Sequence, residues 1–252
     1  MSTRFAGKVA IITGAGSGIG KATIVRFIEE GGTAVGIDLV QPRLLELQSE
    51  LNARGLSVKI VAGDLLDSNT IARALEAAGE KIDILINNAG IMDDFVPLDE
   101  LDDALWDRVL GVNVTAVMRL SREVIKKMLV TGKGSIVTTA SAATFKSGIA
   151  GTAYVTSKHA VAGFVKSVAT IYGPRGIRSN AVAPGAVATN IMDISKPPRG
   201  QETMQALGVN MANMGKAATS GQLASAILYL ASDEASYVNG AILPVDGGWV
   251  AR

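Results

Sequence analysis

The sequence predicts an α/β fold, a doubly wound sheet of about seven mostly parallel strands with helices on both faces. Short β-branched runs alternate with longer helical patterns along the whole chain. A glycine-rich turn separates the first run from the first helical pattern. No linker, charge run or low-complexity tract divides the 252 residues, so one domain spanning 1–252 is expected.

The strands follow in order. "VAIIT" (9–13) and "TAVGID" (33–38) are nearly unbroken apolar runs, as expected of parallel strands covered on both faces. "VKIVAGD" (58–64), "IDILINN" (82–88) and "GSIVTTA" (134–140) each end in polar or small residues suited to a turn. "IRSNAVA" (177–183) and "GAILPVDG" (240–247) complete seven. Residues 188–218 break the rhythm with a Pro-Pro pair, several Met and no convincing strand. A long irregular connection in a compact domain reads as a substrate loop or lid.

Composition narrows the partners. With 48% hydrophobic residues and a net charge of +1, the chain has no strong field for nucleic acid or an anionic membrane, which leaves a small molecule. The absence of cysteine removes disulfides, thiolate metal ligands and a cysteine nucleophile, and no metal site is expected. That fits a reducing cytoplasm. Arg4 and Lys8 followed by "VAIITGAGSGIG" imitate the start of a signal peptide, but four glycines break the apolar run, and no targeting or membrane-spanning segment is read.

"TGAGSGIG" (13–20) directly follows the first strand and opens a helix, where glycines let backbone N–H groups approach a pyrophosphate. A glycine turn alone has an ordinary structural explanation. Asp38, at the end of the second strand and eighteen residues past Gly20, tips the balance, because its carboxylate can accept both hydroxyls of an adenosine ribose. A 2′-phosphate there would cost several kcal/mol unless a cation intervened. Neither Ser17 nor Leu39 is basic, so NAD is expected over NADP, with Lys21 and Arg43 the residues able to change that.

Chemistry in a doubly wound sheet belongs beyond the carboxyl ends of the strands. Ser141 lies just past the fifth strand, Tyr154 and Lys158 on the next helix, and "APG" (183–185) closes the sixth strand. Tyr154 and Lys158, four apart, share a helix face. Bringing a tyrosine from its free pKa of about 10 to neutrality takes about 4 kcal/mol. A cation roughly 4 Å away at an effective dielectric of about 20 supplies as much, so Lys158 alone is of the right size. A surface pair with a snorkelling lysine is the bland alternative, but it leaves Ser141 unexplained.

Together "TGAGSGIG", "NNAG" (87–90), Asn113, Ser141, "YVTSK" (154–158) and "PG" (184–185) make the chain resemble the short-chain dehydrogenase/reductase family, of the small single-domain Rossmann type, over essentially its whole length. The resemblance implies Tyr154 as acid/base, Lys158 lowering its pKa and holding the nicotinamide ribose, and Ser141 polarising the substrate. It gives Asn113 a bend in its helix and a water-linked proton relay; a satisfied buried amide is the alternative. It implies cofactor contacts at Gly14, Ser17, Gly18, Ile19 and Gly20 in the turn, and at Asp64 and Leu65 beside the adenine. Asn87, Ala89 and Gly90 would line the cleft, with Pro184, Gly185, Val187 and Thr189 near the nicotinamide. Hydride would leave from the nicotinamide's B face.

The expected reaction is interconversion of a neutral, fairly apolar secondary alcohol and its ketone. Met192, Met204, Leu207, Met211 and Met214 in the loop, with Phe95 and Ile149, suit an adaptable apolar pocket. Lys196 and Arg199, beside prolines at the loop tip, do not form an evident carboxylate or phosphate clamp. An NADP-dependent 3-oxoacyl-thioester reductase and a non-catalytic NAD-binding regulator are the alternatives. Asp38 opposes the first and the complete Ser141–Tyr154–Lys158 set the second; a sugar-nucleotide epimerase would need a longer C-terminal substrate domain. His159, the only histidine, should point about 100° away from Lys158, towards the surface. By resemblance, helices spanning about 102–131 and 152–173 would build a homotetramer, with Trp249 packing on a partner chain.

Overall fold

A computed structural model describes residues 3–189, 191, 201–212 and 214–251. Its centre is one sheet of seven strands, all parallel, in the order β3-β2-β1-β4-β5-β6-β7. These are β1 (Val9–Thr13), β2 (Thr33–Asp38), β3 (Lys59–Ala62), β4 (Ile84–Asn87), β5 (Gly134–Thr139), β6 (Ile177–Pro184) and β7 (Ile242–Val245). The strand order reverses between β1 and β4, which opens a crevice at their carboxyl ends.

Successive residues of β1 face opposite sides, so Ile12 and Ile11 enter two different cores. On one side Ile12 packs with Ile24 and Phe27 of α1 (Gly18–Glu29), Leu44 and Leu47 of α2 (Gln41–Ala53), and Ile227 and Leu228 of α8 (Ser220–Ala231). On the other, Ile11 packs with Ile71 of α3 (Ser68–Ala78), Val124 and Met128 of α5 (Ala116–Thr131), and Val168 of α6 (Thr152–Tyr172). The helices start on side-chain caps where the sequence supplies them. Asp67 takes the N–H of Asn69, and Asp102 that of Leu105 at α4 (Asp103–Leu110). Thr219 and Gln222 form a reciprocal capping box at α8.

Three expectations change. Strands β3, β4 and β7 are shorter than expected, four residues each, and β3 gives way to a bend at Gly63, whose N–H is still on the Asp38 carbonyl. The long helix expected over 102–131 divides into α4 and α5 at a π-helical turn, Gly111–Thr115, that centres on Asn113. The stretch 188–218 is only partly irregular. It carries α7 (Gln201–Met211) and begins and ends in a parallel bridge between Val187 and Ala218. Among the described residues no helix is long and apolar enough to cross a membrane.

Candidate active site

The carboxyl ends of the strands open into a cavity of about 780 Å³ that runs from Asp38 to Tyr154. The glycine turn forms one wall because it has no side chains to fill it. A Cβ on Gly14 would stand 2.9 Å from Asn88 Nδ2, and one on Gly20 only 2.0 Å from the Gly14 carbonyl oxygen. Helix α1 begins at Gly18 with no side-chain cap, so its first N–H groups face the cavity mouth. Asp38 is fixed there by two amides, Gly16 N–H on Oδ2 and Val40 N–H on Oδ1, each at 2.9 Å. Both oxygens keep lone pairs for a further donor. These features fit a dinucleotide laid along the crevice.

Of the residues expected along it, Ser17, Gly18, Ile19, Asp38, Asp64 and Leu65 line the cavity, as do Ala89, Gly90, Pro184, Gly185, Val187 and Thr189. Gly20 lies behind the turn. Asn87 is buried, and its amide donates to Ser121 Oγ at 3.0 Å, so its side chain faces α5 while Asn88 takes the cavity side. Lys21 is engaged elsewhere, 2.8 Å from Glu50, which raises its pKa. Arg43 does line the cavity, and a Cβ on Gly16 would meet both its Cβ, at 2.8 Å, and Asp38 Oδ2, at 2.9 Å.

At the other end Ser141, Tyr154 and Lys158 come together. Ser141 opens a short 3-10 turn after β5 and accepts the N–H of Ala143 at 3.1 Å. Tyr154 is buried; burial pushes its pKa up to about 12, a hydrogen bond with Ser141 pulls the other way, and Asp93 adds to the rise. Lys158 donates to the Thr139 carbonyl at 2.9 Å and stands 5.4 Å from the Tyr154 ring centre. Burial lowers its own pKa to about 8. The expectation that Lys158 alone brings the phenol near neutrality is therefore corrected. In the chain by itself burial is the largest influence on both groups, because a low dielectric penalises forming either ion.

Asn113 does not reach the cavity. Its amide donates to Ile91 O and Ser157 Oγ, both at 3.0 Å, and its Oδ1 accepts the N–H of Ile91 at 2.9 Å. Ser157 in turn donates to the Tyr154 carbonyl at 2.7 Å. The amide thus ties the loop after β4 to the middle of α6. His159 is exposed, with Nδ1 on the Val155 carbonyl at 2.9 Å.

The space beyond Tyr154 is apolar. Phe95, Ile149, Leu207 and Trp249 are buried around it, with Met92 and Met214 half-buried. Trp249 is buried within its own chain, and its Nε1 donates to the Asn210 carbonyl on α7 at 2.8 Å. Asn210 Nδ2 also donates to the carbonyl of Gly148 at 3.1 Å. Met192, Lys196 and Arg199 lie outside the described residues, as do the side chains of Met204 and Met211.

A residue behind the site, absent from the sequence reading, supports it. Asp93, fully buried, accepts N–H groups from Gly151, Tyr154 and Phe95. Its one signal is an acid inside the apolar run "GIMDDFV" (90–96).

The family model for short chain dehydrogenases matches residues 8–199. The chain is 38% identical to 3β-hydroxysteroid dehydrogenase 2 of Eggerthella lenta, covering 98% of this chain and 96% of that one. A structure from Beutenbergia cavernae, described as an NAD(P)-dependent gluconate 5-dehydrogenase with NADP at low occupancy, superposes with a TM-score of 0.86 at 35% identity over 100% of both chains. A 3-oxoacyl-[acyl-carrier protein] reductase of Brucella melitensis with NAD bound gives 0.85 at 31% identity over 98% of this chain and 92% of that one. The fold, the crevice and these matches agree: the chain belongs to the short-chain dehydrogenase/reductase family, oxidoreductases of hydroxyl and keto substrates that bind a nicotinamide dinucleotide.

Proposed function

We propose that this protein interconverts a neutral, apolar secondary alcohol and its ketone with NAD(H). The observation that carries the reading is the meeting of Ser141, Tyr154 and Lys158 at the apolar end of a cavity whose other end is Asp38. When bound, the dinucleotide would supply the hydride acceptor or donor and, oxidised, a positive charge. Tyr154 takes the hydroxyl proton on its phenol oxygen as the alcohol is oxidised and returns it to the carbonyl oxygen in reduction. Ser141 donates a hydrogen bond to the same substrate oxygen. Lys158 would hold the ribose, and its charge favours the phenolate. Phe95, Ile149 and Trp249 keep water from the reacting atoms.

NAD is preferred on the strength of Asp38, fixed by two amides where a 2′-phosphate would stand. Arg43 is the cation at that end and the residue that would let NADP in. The bound ligands of the two similar structures differ on this point, NADP in one and NAD in the other. The apolar lining and the similarity to a hydroxysteroid dehydrogenase support a bulky, uncharged substrate. A homotetramer built on α5 and α6 fits the exposed apolar side chains of Met118 and Ile171 on those helices.

The test is nicotinamide absorbance on mixing purified protein with a panel of neutral ketones and secondary alcohols, NAD(H) and NADP(H) in parallel. Turnover with NAD(H), strongest on bulky apolar substrates, is the expected result. Silence across the panel with NADH still bound would overturn the reading.

A further inference from the structure

Helix α6 carries Tyr154 and Lys158, yet its own N-cap residue cannot hold its first turn. Gly151 occupies that place and has no side chain to accept the exposed N–H groups. The missing acceptor comes from 58 residues upstream. Asp93 Oδ2 takes the N–H of Tyr154 at 2.8 Å, and Oδ1 takes that of Gly151 at 3.1 Å. The fit leaves no slack, since a Cβ on Gly151 would lie 2.5 Å from Asp93 Oδ2. Asp93 is 0% exposed and, among the described residues, forms no ion pair. A carboxylate without a cation is an expensive group to bury. Three N–H groups and the positive end of α6 offset part of that cost, and burial still holds the carboxyl's pKa above its ordinary value.

The same carboxylate reaches the substrate wall. Oδ1 also accepts the N–H of Phe95 at 3.3 Å, closing a turn in which Asp94 and Phe95 both take left-handed backbone, with φ of 54° and 59°. Two consecutive non-glycine residues rarely hold that conformation without support from their surroundings. The turn delivers Phe95 into the apolar cluster that packs on Tyr154.

We propose that Asp93 is a positioning residue for the reaction: its buried carboxylate locks the catalytic helix to the substrate-wall loop and holds a negative charge near the phenol of Tyr154. Lys158 from its own helix and Ser141 from the turn after β5 stand beside that phenol, and Asp93, from the loop after β4, acts on it through space from its place on the Tyr154 main-chain N–H. Asp93 opposes ionisation of the phenol, which Lys158 and the bound cofactor favour. It thereby favours the protonated phenol, the form that the reductive direction requires, at the cost of weakening it as an acid.

This inference rests on Tyr154 as the acid/base, so the experiment reads the phenol in two ways. The first is the pH dependence of kcat/KM for alcohol oxidation by wild type, Asp93→Asn and Asp93→Ser. The second is ultraviolet difference titration of the phenolate in the NAD+ complex, each protein against its Tyr154→Phe counterpart. With the charge removed, the acid limb of the profile and the phenolate titration should both move down by about one pH unit, while kcat falls at least tenfold and NADH affinity stays within a few-fold. A lower kcat with neither curve displaced would reduce Asp93 to a helix cap and overturn the proposal. Failure of both variants to fold would do the same. If wild type oxidises no alcohol, the functional reading fails, while the phenolate titration still decides for or against Asp93.

Discussion

Tyr154 is a buried phenol whose surroundings, in the chain alone, hold the proton on it. Its chemistry depends on placement more than on standing charge. Tyr154→Phe keeps the ring in its apolar cluster and removes only the proton carrier. The expected outcome is a loss of turnover of about 10³-fold, within the range for general acid–base groups, with NADH affinity within a few-fold in fluorescence titration. Full activity would remove Tyr154 from the mechanism. At the cofactor end, Asp38→Ser with Leu39→Arg exchanges a fixed carboxylate for a cation and should move the kcat/KM ratio towards NADP by about 10²-fold or more, the equivalent of about 3 kcal/mol. An unchanged ratio would place selectivity elsewhere, with Arg43 the next residue to replace. At this scale Asp38, Ser141, Tyr154 and Lys158 were legible because each occupies a fixed offset from a strand end or shares a helix face. Asp93 and Trp249 were not, because each acts through a contact that no local spacing encodes. Asp93 caps a helix 58 residues away, and Trp249 closes a pocket by bonding Asn210.

The position and order of all seven strands are legible in the sequence because buried parallel strands are short, β-branched and bounded by glycine or polar turns, although β3, β4 and β7 are each about half as long as the runs that mark them. Helix α7 was missed for the converse reason. Its sequence "QETMQALGVNM" offers only Leu207 as a buried residue among those described there, so no helical period emerges, and its order comes from contacts made elsewhere. Asn210 supplies several of them. Its amide reaches the Gly148 carbonyl on the loop after β5, and its own carbonyl takes the indole N–H of Trp249. Asn210→Ala removes the first contact and leaves the second, which is main-chain. The lid should loosen without losing its wall, raising KM for the alcohol by about tenfold, the worth of one hydrogen bond, with kcat little changed. Equal loss in kcat at unchanged KM would show that Asn210 acts on the reacting atoms instead. The glycine turn is less tolerant. On Gly20→Ala the new methyl meets the Gly14 carbonyl oxygen, which cannot retreat without moving the turn. Dinucleotide affinity should fall by at least 10²-fold, with a loss of about 1–3 kcal/mol in stability. Retained NADH binding would mean that the turn can shift.

The molecule as a whole bears a cost in stability for the ammonium it keeps in the cleft. Lys158 is buried with one carbonyl partner, and burial lowers its pKa from 10.5 to about 8. Between those values the unfolded chain holds a proton that the folded chain has released, so folding stability gains as pH rises through the window. Below about 8 both states are protonated, and the folded state carries the full penalty, about 3 kcal/mol by the conversion of 1.36 kcal/mol per pH unit. Lys158→Met fills much the same space without the charge. Denaturant unfolding of cofactor-free protein should find the variant more stable relative to wild type at pH 7 than at pH 10, with the difference shrinking steadily above pH 8. The variant also leaves the Thr139 carbonyl without its donor, which offsets part of the gain at every pH. The pH-dependent part is untouched by that loss and is the quantity to read. A difference that stays flat from pH 7 to 10 would mean that the ammonium is as well solvated in the fold as in the unfolded chain. The burial that raises Tyr154 would then fail as an account of the site, because both groups lie in the same cavity. On the proposed mechanism the variant should also lose turnover, since a ribose contact and the charge favouring the phenolate would leave together, so that the group that weakens the cofactor-free fold would be one the reaction requires.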